Sequence, residues 1–175
     1  MRARRRPPLA ILSLLSLLSF LSFLPGCQRE PSPEGLAAGA TTRKARIFLI
    51  SIEDHGAAGP AVGCGDSAVP VEVDLPAPGP ALRGSLKALL TAGRSHESAG
   101  YYNALANSPL RLQRIERSGD TARIYLTGYL ELGGECDSPR VLSQLTETAT
   151  QFRDLESAEF FLDGKPLRDL LSGKG

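Results

Sequence analysis

Chemistry in this chain has few residues to draw on: three cysteines, two histidines, one methionine and no tryptophan among 175 positions. Gly65-Asp66-Ser67 has the form of the nucleophile block of one esterase family. That chemistry needs a histidine near the C-terminus to take the serine proton, and no histidine follows His96. Asp54-His55 has the makings of an orienting pair, but no nucleophile accompanies it in sequence, and Ser95-His96-Glu97 is in the same position. Both read better as solvated loop residues. No GxSxG, GxxxxGKS/T or HExxH occurs, and no two acids are placed convincingly for glycoside hydrolysis. Arg83 and Lys87 share a helix face at i, i+4 and read as a solvated face. Tyr101-Tyr102, and Tyr125 with Tyr129, have rings that stack well on sugars, although partial burial explains tyrosines equally well. The chain is therefore read as a non-enzyme, with no catalytic residue, metal or cofactor assigned.

The cysteines say more. Cys27 follows a cationic start, MRARRRPP, and an apolar run over residues 9–24, LAILSLLSLLSFLSFL. A membrane-crossing helix needs about 20 apolar residues for roughly 30 Å of hydrocarbon. This run is shorter and ends in Pro25-Gly26 rather than a basic cluster, the layout of a secretory signal peptide over residues 1–26. Leu24-Pro25-Gly26-Cys27 resembles the lipobox of bacterial lipoproteins, in which a small residue precedes the cysteine that becomes the acylated N-terminus; Pro25 departs from the usual small residue. A diacylglycerol thioether supplies two chains at roughly 0.8 kcal/mol per buried CH₂, enough for stable anchoring. The expectation is membrane lipid held through acylated Cys27, at the cell membrane or, because Gln28 rather than aspartate follows, the outer membrane. Residues 27–43 carry Pro, Gly, Ser and Thr without apolar periodicity and read as the lipidated N-terminus and a flexible linker.

Cys64 and Cys136 lie in similar glycine-rich surroundings, VGCGD and GGECD. In an exported chain, two cysteines left over are most simply one disulfide. Free thiols are an alternative. Metal ligation is another, and it would need His55 and His96 to complete a tetrahedral set.

Charge excludes one class of partner. Four of the 20 basic residues fall in residues 1–26, leaving 16 against 19 acids and a net charge of −3 from Cys27 onward. Nucleic-acid binding relies on clustered positive charge, so no nucleic-acid partner is expected.

The elements that must position these residues follow from hydrophobic periodicity. Residues 45–52, ARIFLISI, are apolar on both faces and suit a central, doubly covered strand. In residues 69–75, VPVEVDL, apolar and polar positions alternate, and Pro70 puts this strand at an edge or near its start. Gly79-Pro80 opens a helix with the stripe Leu82, Leu86, Leu89 and Leu90 and a stop at Gly93. Residues 110–116 and 121–126 form a hairpin about Ser118-Gly119-Asp120. Ser138-Pro139 starts a second helix as N-cap and first residue, with the stripe Leu142, Leu145, Ala149 and Phe152. Residues 158–162, AEFFL, are the last strand before a short tail. The order β-β-α-β-β-α-β predicts an α+β fold, a mixed sheet with two helices packed on one face. Residues 44–175 are read as one domain.

From Ala45 onward the chain resembles the GerMN domain of bacterial sporulation and spore-germination lipoproteins. The segments that carry the likeness are ARIFLI, VPVEVDLP with LRGSLKALLTAG, TARIYLTG, VLSQLTETATQF and AEFFLDGKPL. The family often places Gly-Pro after its first helix, where this chain has Gly93-Arg94. The resemblance implies an exported or lipid-anchored protein acting in envelope or spore assembly, with no established enzymatic activity. The expected function is a lipid-anchored envelope protein whose GerMN-like domain is a non-catalytic binding or assembly module for an envelope protein or cell-wall polymer. Two alternatives stand beside it: a hydrolase of peptidoglycan or envelope polysaccharide, and a structural subunit that self-associates through sheet edges.

Overall fold

A computed structural model of the chain describes residues 41–93 and 100–173. The expected signal peptide, the expected lipidation site Cys27, most of the expected linker, and His96 lie outside the described residues. β1 (Thr42–Ser51) begins two residues before position 44. β2 (Ala61–Val62) and a 3-10 turn (Gly63–Gly65) lead into β3 (Asp66–Pro76), and α1 (Ala81–Thr91) follows. β4 (Arg111–Ser118) and β5 (Thr121–Thr127) form the expected hairpin. α2 (Asp137–Thr150) carries the chain back to β6 (Ser157–Leu162), which runs parallel to β5. A parallel pair needs such a crossover. The tail turns through Asp163 and Gly164 into β7 (Lys165–Pro166) and a third, short helix, α3 (Leu167–Leu171).

The class and order of the long elements are those expected, but the strands form two sheets. One is antiparallel, in the order β1-β3-β2, and the other is mixed, in the order β4-β5-β6-β7. α1 packs on β1, β3 and β4, and α2 packs on β1, β3 and β6, so each helix touches both sheets. One core results: Ile47 and Leu49 of β1, Leu86 and Leu89 of α1, Ile124 and Leu126 of β5, and Val141 and Leu145 of α2 are all buried in it.

The separation has a local cause at β1. From Ile47 to Ile50 both its faces are buried, as the composition requires, but β1 is an edge strand and not a central one. Side chains of α2 take the place of the missing neighbour. Gln151 Oε1 accepts from the Arg46 amide at 3.2 Å, and its Nε2 donates to the Arg46 carbonyl at 2.7 Å. The Phe48 amide donates to Thr148 Oγ1 at 3.0 Å, and Gln144 Nε2 donates to the Phe48 carbonyl at 3.0 Å. Ile50 exchanges two backbone bonds with Tyr102. The outward groups of Arg46, Phe48 and Ile50 are therefore satisfied, as buried backbone must be, and no strand of the second sheet can join there.

The same contacts change the buried face of α2. The apolar stripe predicted Leu142, Leu145, Ala149 and Phe152; the buried residues include Val141, Gln144, Leu145, Thr148 and Ala149, with Leu142 and Phe152 half-buried. The helix turns its polar triplet Gln144, Thr148 and Gln151 toward the β1 edge, because unpaired strand amides there would cost about 1–3 kcal/mol each. Pro70 sits in the central strand of its sheet. It is tolerated because its nitrogen faces away from β1, on a side where β2 pairs only with Asp66 and Ser67.

Candidate functional site

The chemistry-bearing residues of the described chain gather where β3 starts and α2 begins. Cys64 and Cys136 are disulfide-bonded, their Cα atoms 5.9 Å apart and 72 positions apart in sequence. Cys136 is also the N-cap residue of α2, so the helix starts two residues earlier than the Ser138 cap expected from sequence. Cys64 has φ +67, a left-handed conformation uncommon for a residue with a Cβ. The bond ties the glycine-rich turn before β3 to the amino end of α2.

Beneath this bond lies a buried ion cluster. Arg140 donates through Nε to Asp66 Oδ2 at 2.6 Å and through Nη1 to Asp137 Oδ1 at 3.2 Å. The side chains are 15%, 0% and 3% exposed for Arg140, Asp66 and Asp137, so this is an interior network. Asp66 Oδ1 accepts from the Glu53 amide at 2.9 Å. Asp137 Oδ2 accepts from the Gly133 amide at 2.7 Å and from Tyr102 Oη at 3.0 Å. Burial pushes the Asp66 carboxyl up; the Arg140 guanidinium and the Glu53 amide outweigh it and hold Asp66 below the ordinary carboxylate range.

The Gly65-Asp66-Ser67 triplet is thus spent on structure. Ser67 is fully buried, and its hydroxyl donates to Asp54 Oδ1 at 2.5 Å. Asp54 also accepts the Gly56 and Ala58 amides, a local turn closed on its own carboxylate. The Ser67 hydroxyl bond holds Asp54 below its usual value, with those two amides contributing and burial opposing. His55 is exposed at φ +54, its amide donating to the Gly65 carbonyl at 2.7 Å. The structure thus brings Asp54, His55, Asp66, Ser67 and both cysteines to one end of the domain, and pairs Ser67 with a carboxylate.

The other singled-out residues lie elsewhere. Tyr125 is stacked on Phe161 with ring centroids 4.9 Å apart, and the Arg114 guanidinium lies 3.5 Å from its centroid on β4. Both faces of that ring are covered, which leaves no face for a sugar. Tyr102 is held by its bonds to Ile50 and Asp137. Tyr129 is 61% exposed, and Arg83 and Lys87 stand on α1 beside a surface groove. Among the described residues no group of three or more His, Cys, Asp or Glu is placed to hold a metal ion. Likewise no described helix is long and apolar enough to cross a membrane.

Arg140, Gln144 and Thr148 are not legible as a site: polar residues at helical spacing beside an apolar stripe are also the pattern of a solvated helix face.

The β3–α1–hairpin–α2–β6 frame coincides with a known family. A model of the Germane domain, described as sporulation and spore germination, matches residues 59–168. This chain belongs to the Germane family. The matched span includes both disulfide cysteines and the whole Asp66–Arg140–Asp137 cluster, but it starts after β1. β1 pairs with β3 along its entire length and contributes Ile47 and Leu49 to the same core as the matched residues. No curated protein and no solved structure matches the chain.

Proposed function

We propose that this chain is a lipid-anchored protein of the bacterial cell envelope whose Germane domain acts as a non-catalytic binding or assembly module. The observation that carries the reading is how the polar groups at the start of β3 are used. Ser67 is committed to Asp54, and Asp66 to Arg140 and the Glu53 amide. A nucleophile needs a base positioned to accept its proton; a carboxylate held below its ordinary range by that same hydroxyl is a poor one. Membership in a family of sporulation and germination domains fits a role in envelope assembly. The anchor rests on the short apolar run, Gly26 and Cys27, and the partner on this reading is an envelope protein or cell-wall polymer.

Two measurements test the two halves of the proposal. Metabolic labelling with a fatty-acid analogue should mark wild type and not Cys27→Ser, and the variant should leave the membrane fraction. Equal labelling of both proteins would end the lipoprotein reading. Replacing His55 and His96 together by Ala should leave the fold and any envelope phenotype unchanged. Turnover of purified peptidoglycan by wild type, lost in that double variant, would put a hydrolase in place of the binding module.

A further inference from the structure

β3 has a strand neighbour on one side from Ser67 to Pro76 and on the other side only at its start. The amides of Arg46, Phe48 and Ile50 point away from β3, toward Gln151, Thr148 and Tyr102. The odd positions of β1 therefore face β3, and the register (Ala45 opposite Val73, Ile47 opposite Val71) turns the odd residues of β3 toward β1. Even residues of β3 face outward, as the Ala68 amide does when it donates to the Pro60 carbonyl. Beyond Val69 the outward groups are the amides of Glu72 and Asp74 and the carbonyls of Pro70, Glu72, Asp74 and Pro76. No strand pairs with them among the described residues.

α1 runs beside this open edge. A groove of about 370 Å³ lies between Asp74-Leu75-Pro76 and one helix stripe, whose members include Arg83, Gly84, Lys87 and Ala88. The helix sits close because position 84 is glycine: a Cβ there would stand 2.9 Å from Leu75 Cδ1. Leu75 and Ala88 make the groove apolar inside, and Arg83 and Lys87 make its helix rim cationic. On the opposite face of the sheet, Lys44 sits between Glu72 and Asp74, at 3.2 and 3.1 Å.

We propose that this groove takes up an extended segment of a partner protein, acidic and apolar on the side that faces α1, which adds to β3 as a further strand. This deepens the binding-module reading and rests on it. The chemistry of the site defines the occupant. Outward amides and carbonyls that recur at every second residue, with no helix side chain among the described residues bonded to them as on β1, match the spacing of another extended backbone. Side chains of the added strand that point toward α1 meet an apolar floor and two cations, so apolar and acidic residues fit there. Those that point to the other face meet Glu72 and Asp74, so basic or neutral residues fit between them. A second copy of this chain fits worse. Antiparallel pairing of two β3 edges would bring Glu72 and Asp74 against their own counterparts, and like charges directly opposite destabilise a pair.

The test uses the full chain in detergent, panned against a displayed library of random peptides. Enriched sequences should alternate acidic or apolar residues with basic or neutral ones. Their affinity should fall about tenfold in Glu72→Pro, where an outward amide is removed. The fold should tolerate this proline, since Pro70 already occupies the same orientation on the same strand. An unchanged thermal midpoint verifies that. Arg83→Glu with Lys87→Glu should weaken the acidic peptides by a similar factor. Three results would overturn the proposal: no enriched peptide, peptides whose binding Glu72→Pro leaves unchanged, or a concentration-dependent dimer that Glu72→Pro dissolves. The second places binding elsewhere on the domain and leaves the module reading intact; that reading fails separately, in the peptidoglycan assay.

Discussion

Reducing the Cys64–Cys136 bond is expected to lower the thermal midpoint of the domain by on the order of 10 °C, a substantial share of a stability of about 5–15 kcal/mol. The bond closes a loop of 72 positions. In the chain-entropy description, a loop of that length restricts the unfolded ensemble by roughly 4 kcal/mol. For a domain of this size each kcal/mol moves the midpoint by roughly 2–5 °C. The bond also has a local task. It secures the Gly63–Gly65 turn, which β2 and β3 flank, to the first turn of α2. Calorimetry with and without reductant, and on the double variant Cys64→Ser with Cys136→Ser, should give the same loss. An unchanged midpoint, or two thiols titrating freely in the untreated protein, would contradict it.

Arg140→Ala should destabilise the domain by about 3–5 kcal/mol at neutral pH, the usual cost of leaving a buried charge without its partner. Two carboxylates, Asp66 and Asp137, would be stranded at 0% and 3% exposure. The effect carries a pH signature. In wild type the folded Asp66 carboxyl lies below its unfolded value of about 3.9. Its stabilising contribution is therefore present above that value and is lost as pH falls through the folded pKa. Without Arg140, burial dominates and the folded value lies above the unfolded one, so protonation in acid relieves the variant. Urea unfolding from about pH 7 to about pH 3 should show the difference between the two proteins shrinking steadily. A deficit below about 1 kcal/mol, or one independent of pH, would remove the cluster from the list of what holds this fold.

Much of the architecture was legible because it depends on patterns within single segments. Alternation in VPVEVDL, leucines at helical spacing in α1, and the Ser118-Gly119-Asp120 turn each fix a local conformation, and the family's segments recur in the same order. The cysteine pairing followed from counting, because few combinations were open. Other features were invisible for one physical reason: they are contacts between groups far apart in the chain. Asp66 and Arg140 meet across the fold, and neither side chain carries a local sign that it will be buried with the other. β1 has the composition of a central strand, and from Ile47 to Ile50 it is one in burial. Its second neighbour is a helix whose Gln144, Thr148 and Gln151 supply the hydrogen bonds a strand would have made. Side-chain amides and hydroxyls can satisfy a backbone edge as well as another backbone can, and periodicity does not distinguish the two. The sequence by itself determined the five long strands and two long helices, their order and the two cysteines available to bond, but not β2, β7 or α3. Only the tertiary structure decided that the strands split into two sheets, that Asp66 and Ser67 are bound into the interior, and that β3 keeps one edge open.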